Sequence, residues 1–125
     1  MQGAYNWQVR RLRPKQRGDF ARWLARNARA SEVWLLFFKK TSGKQTIAYK
    51  DALQEAICHG WIDSRVKSLD AEQFAVRFTP RKPGSPWSGR NLQLAEALLQ
   101  SGKMTEAGIA SLPVHMRPRS SASSK

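Results

Sequence analysis

The sequence predicts an α+β domain: a small antiparallel sheet with a β-hairpin, packed against three to four helices. Three observations lead there. Residues 33–38 form an unbroken apolar run, Val-Trp-Leu-Leu-Phe-Phe, with the length and composition of a buried strand. Phe74, Val76 and Phe78 alternate with Ala75, Arg77 and Thr79, the period of two that turns one strand face inward. Three further stretches carry apolar residues three and four apart, which gives a helix one packing face. The resulting order, α-β-α-β-β-α, suits helices laid on one face of an antiparallel sheet.

The elements follow in chain order. Residues 1–18 show no helical or strand period and contain the breakers Pro14 and Gly18, so they read as a basic flexible arm. Asp19 is a good N-cap, and Phe20, Trp23, Leu24 and Asn27 then share one face of a first helix. After the strand at 33–38, the polar stretch 39–44 reads as a loop. A second helix runs from Tyr49 to His59 with Tyr49, Ala52, Leu53, Ala56 and Ile57 as its stripe. Gly60 stands where a left-handed C-cap belongs. Trp61 to Leu69 and Gln73 to Thr79 make the hairpin, turning at 70–72. Three prolines between 80 and 86 forbid regular structure there. Ser88 caps a third helix that presents Leu92, Ala95, Leu98 and Leu99 and stops at Gly102. Thr105 opens a last short helix through Leu112. Residues 113–125 are rich in Pro, Arg and Ser and read as a disordered tail. The expected division is therefore an arm at 1–18, a domain at 19–112 and a tail at 113–125.

The chain has 125 residues and a formal net charge of +13, a size that fits one domain. Its longest apolar run is six residues, far short of the roughly 20 that a membrane helix needs. A single cysteine, Cys58, excludes an internal disulfide. Two histidines and one cysteine supply no cluster for zinc, and no cofactor is expected. The charge is uneven: residues 1–30 hold eight basic residues and one acidic, residues 31–112 eleven and eight. A basic arm can hold an anionic lipid surface or nucleic acid, or simply aid solubility. Arg10-Arg11-Leu12-Arg13 is followed by Pro-Lys-Gln-Arg-Gly-Asp, not by the apolar stretch of a twin-arginine export signal. A cytoplasmic location is the expectation.

The densest local chemistry lies between Arg81 and Asn91. Arg81, Lys82 and Arg90 surround a helix start at which Ser88 and Asn91 stand. Free N–H groups and the helix dipole favour an anion there, and Lys39 and Lys40 join if the sheet brings them near. The plainer reading is that Ser88 and Asn91 cap the helix, Trp87 packs and the cations stay solvated. Cys58, His59, Asp63 and Ser64 include the residue types of a nucleophilic site. However, Cys58 and His59 are adjacent on a helix and point about 100° apart, while Asp63 and Ser64 alternate on a strand. No catalytic set is expected.

Several segments carry a resemblance. They are Glu32-Val33-Trp34-Leu35 with Lys39-Lys40, and Ala56 through Ser64 with the motif Gly60-Trp61-Ile62-Asp63-Ser64. Phe78-Thr79-Pro80-Arg81-Lys82-Pro83, Trp87-Ser88-Gly89-Arg90-Asn91, and Gly102-Lys103-Met104 with Gly108 complete them. Over residues 19–112 the chain resembles the bacterial YdeI/OmpD-associated family, also called the bacteriocin-protection family. The resemblance implies a non-catalytic stress or envelope protein, linked to resistance against cationic antimicrobial peptides and to an outer-membrane porin. It makes Trp61, Asp63, Ser64 and Trp87 motif positions, expected to shape the working surface beside Arg81, Lys82, Ser88, Arg90 and Asn91. Members continue past the Gly-x-Met segment into a further helical region, where this chain has Pro113 to Lys125, so the resemblance also implies an incomplete domain. The expected partner is an unidentified protein or an anionic surface, with nonspecific nucleic-acid binding by the arm as the alternative.

Overall fold

The computed structural model describes residues 11–118. Strands β1 (Arg11–Leu12), β2 (Val33–Phe38), β3 (Trp61–Ser68) and β4 (Gln73–Pro80) form one sheet in the order β1-β2-β4-β3. Helices α1 (Arg17–Arg26), α2 (Tyr49–Cys58), α3 (Gly89–Gln100) and α4 (Glu106–Ala110) complete the α+β fold. β2–β4 and β4–β3 are antiparallel, but β1 runs parallel to β2, pairing Arg11 with Trp34 and Leu12 with Leu35. The sheet is therefore mixed, not purely antiparallel. A two-residue strand has no period to read, which is why this edge escapes a sequence pattern.

β2 is buried on both faces. Val33, Leu35 and Phe37 meet the helices in a core with Phe20, Leu24, Ile57, Val76 and Phe78, while Trp34 and Leu36 join Ala75 in a second cluster. Alternation along the sheet assigns these two sets to opposite faces. Phe20 packs tilted on Phe78 at 5.4 Å, and Phe37 stacks on Phe74 at 5.1 Å. Arg77 donates through Nε to the buried Glu32 carboxylate at 2.6 Å, closing the outer face beside Trp34.

Several expected boundaries shift. α1 begins at Arg17, and Asp19 is its third residue rather than its N-cap. The Asp19 carboxylate accepts backbone N–H bonds from Gln16 at 3.1 Å and Lys15 at 3.2 Å. These bonds, that of Gln16 first, lower its pKa below the usual carboxylate value. Residues 11–18 thus belong to the fold and not to a free arm. Arg17 bridges from α1 to Asp51, Gln54 and Glu55 on α2. Only residues 1–10 of the expected arm lie outside the described residues, together with 119–125 of the expected tail. The tail's start is structured: Val114–Met116 form a single turn of 3-10 helix, and Met116 packs on the core.

Candidate functional site

Two glycines create the site by letting backbone meet backbone. A Cβ at Gly108 would lie 2.1 Å from the Cys58 carbonyl oxygen, so only glycine lets α4 dock on the end of α2. A Cβ at Gly60, whose φ is +81°, would lie 2.8 Å from the Ala107 oxygen. Thr105 locks the junction. Its backbone N–H and its Oγ1 hydroxyl both donate to the Cys58 carbonyl, at 2.9 and 2.7 Å, and Oγ1 accepts from the Gly108 N–H. A groove of about 970 Å³ opens beside this junction. Ala25 on α1 and Ala28 just after it, Ala107 and Ala110 on α4, and the loop 80–87 make its walls, with Trp61 at its floor. Small side chains on both helical walls keep it open.

The loop wall is held by Arg81. Its guanidinium stacks on the Trp87 ring at 3.7 Å, and Nη2 donates to the Pro86 carbonyl at 2.6 Å. The Arg81 backbone N–H donates to the Gly60 carbonyl at 2.9 Å, tying the loop to the α2–β3 turn. Nε is buried with no hydrogen-bond partner. Desolvation lowers the Arg81 pKa, yet a guanidinium stays cationic at neutral pH. Beside it Lys82 is exposed and half-buried Ser85 donates to the Lys82 carbonyl at 2.6 Å. Arg117 adds positive charge on the far rim, where it caps α4 by donating to the Leu112 and Ala110 carbonyls. Glu106 is the single acidic residue among the lining residues.

The structure divides the expected site into three. Arg81, Lys82, Trp61 and Trp87 line the groove together. Ser88, Arg90 and Asn91 sit at the start of α3, outside the lining: the Ser88 hydroxyl accepts the Asn91 N–H at 3.1 Å, which is ordinary capping, and Arg90 is exposed. Asp63 and Ser64 lie along β3. Asp63 accepts the Tyr49 hydroxyl in a short bond, whereas Ser64 bonds the Arg77 backbone carbonyl on the outer side. Lys39 does not join the cations of the loop. It bonds the Ser68 hydroxyl and the Asp70 carbonyl at the far end of β4, an eight-residue strand that rises about 3.3 Å per residue.

Cys58 is buried and does not line the groove, whereas His59 does. The His59 ring bonds the Glu55 carbonyl through Nδ1 at 3.0 Å. Burial pushes the Cys58 thiol from 9.0 up to about 11, with the Glu55 charge adding to it, so it is a protonated thiol at neutral pH and a poor nucleophile. The native state should therefore lose stability between pH 9 and pH 11, because only the unfolded chain ionises this thiol there. One pKa unit is worth about 1.4 kcal/mol, so the loss is about 2–3 kcal/mol. Tyr49, raised by burial and then by Asp63, adds to the same trend above pH 10. Urea denaturation across this range checks it: the fall should be smaller in Cys58→Ala, and an equal fall in both proteins would contradict it. Among the described residues, no group of three or more His, Cys, Asp and Glu is placed to hold a metal ion. None of their helices is long and apolar enough to cross a membrane.

Ala25, Ala28, Ala107, Ala110 and Arg117 escaped the sequence reading. Alanines carry no chemistry of their own, and their role exists only once α1 and α4 face each other. Gly108 did leave a signal, as a glycine inside a short helical stretch. The profile of a domain of unknown function (DUF8412) matches residues 12–111, and the chain belongs to that family. No curated protein and no solved structure matches it.

Proposed function

For a member of a family without an assigned function, we propose a non-catalytic binding domain. The groove between α1, α4 and the loop 80–87 holds an anionic segment of a partner protein. The observation that carries this reading is Arg81, stacked on Trp87 and fixed to the Pro86 carbonyl beside exposed Lys82. A cation held against an aromatic face keeps a ready-made geometry for a carboxylate, and little side-chain entropy remains to be lost on binding. The alanine walls offer an apolar slot for the side chain next to that carboxylate. The resemblance to the YdeI/OmpD-associated family, carried by the motifs around Gly60-Trp61 and Trp87-Ser88, supports bacterial stress or envelope protection as the setting, with the cytoplasmic location expected from the N-terminal sequence. A chain of net charge +13 repels cationic antimicrobial peptides, so protection works through an anionic partner rather than by capturing the peptide.

Ala110 is exposed on the groove wall, so Ala110→Glu fills the slot and repels a carboxylate without touching the core. A bacterial host that expresses the chain should survive a cationic antimicrobial peptide better than one that does not, and Ala110→Glu should remove the gain. Equal protection by the variant at equal protein level would contradict the groove's role. No protection by either protein would contradict the envelope reading.

A further inference from the structure

We infer that the outer edge of β3 is a second docking site, which adds an acidic extended peptide to the sheet as a further strand. β3 is one of the two edge strands and pairs with β4 alone among the described residues. Ser64 through Ser68 are all exposed, whereas their β4 partners Ala75 and Val76 are buried. Val66 is 65% exposed although it pairs with Val76, which is 1% exposed. The apolar layer thus stops one strand short of the edge and leaves Val66 without cover.

The bulge between Asp63 and Arg65 interrupts the ladder and limits a new strand to Arg65–Ser68. Alternation places Arg65 and Lys67 on the outer face with Arg77 and Ala75, and Val66 on the helix face. Lys39 reaches the same end through the Ser68 hydroxyl.

Charge selects the occupant. A second copy paired antiparallel about Val66 would set Arg65 opposite Lys67, a like-charge cross-strand pair that destabilises. An alternating Glu-Val peptide meets the edge with carboxylates on the Arg65–Lys67 face and valine over Val66. Main-chain hydrogen bonds supply its affinity and the alternate side chains its selectivity. This site is independent of the groove.

The test uses the full chain, a synthetic peptide of four Glu-Val repeats, and the same peptide N-methylated at alternate residues to remove ladder donors. The unmodified peptide should slow hydrogen exchange at Arg65–Ser68 and bind about tenfold more tightly than the N-methylated one. Arg65→Glu with Lys67→Glu should abolish that protection. Equal binding of both peptides, protection confined to the groove, or the same protection arising from dimers of the chain alone would each overturn the inference.

Discussion

Gly108→Ala is expected to cost on the order of 3 kcal/mol or more, at the upper end for overpacking, because the atoms in its way are backbone. The new methyl would sit 2.1 Å from the Cys58 oxygen, 2.7 Å from its carbon and 3.1 Å from the Ile57 oxygen. These atoms end a buried helix and have no rotamer to change. Either α4 lifts, breaking both Thr105 bonds to the Cys58 carbonyl, or α2 is displaced from the core. Both outcomes destroy the groove as well as stability. Gly89→Ala is the matched control, since nothing lies within 4 Å of its Cβ position and alanine favours a helix by up to about 1 kcal/mol. Urea midpoints should separate the two variants widely. If they coincide, the close approach of α4 to α2 is not as described.

Phe78→Ala should cost about 3–5 kcal/mol, as deletion of a buried aromatic ring usually does. Phe78 is 0% exposed, opposes Val33 on one side and Asp63 on the other, and meets the Phe20 ring of α1. It thus joins three strands to a helix, and the cavity cannot close without moving all of them. Val66→Ala, one strand out and exposed, should cost well under about 1 kcal/mol. Thermal or urea unfolding of the pair measures the contrast. Equal costs would mean that the sheet's centre lies elsewhere.

Much of this fold could be read directly from the residue pattern, because periodicity and punctuation agreed. The run 33–38 is a strand buried on both faces, Phe74-Val76-Phe78 turn towards the helices, and Ser88 and Thr105 cap the helices they precede. Most failures share one cause. Asp19 is the exception, a local capping residue at the third helical position that reads equally as an N-cap. β1, Arg17 at the start of α1 and the turn after Leu112 rest on contacts with distant residues. Arg17 with Asp51 and Glu55 is an example. Residues far apart in the chain leave no local period. The site divided in the same way. Arg81, Lys82 and Trp87 are close in sequence and share the groove, but the walls opposite them come from α1 and α4. Asp63 and Ser64, three and four residues beyond Gly60, are carried away along β3.

The most direct test of the central claim is a two-dimensional NMR titration of the full chain with an acidic peptide, read at the five tryptophan indoles. Duplex DNA is the second ligand, and both are titrated at low and high salt. Binding in the groove predicts that the Trp87 indole, then Trp61, shift with the peptide and still shift at high salt, and that Ala110→Glu removes the effect. Shifts with DNA that leave both indoles unmoved and vanish with salt would contradict the claim and assign the positive charge to nonspecific contacts.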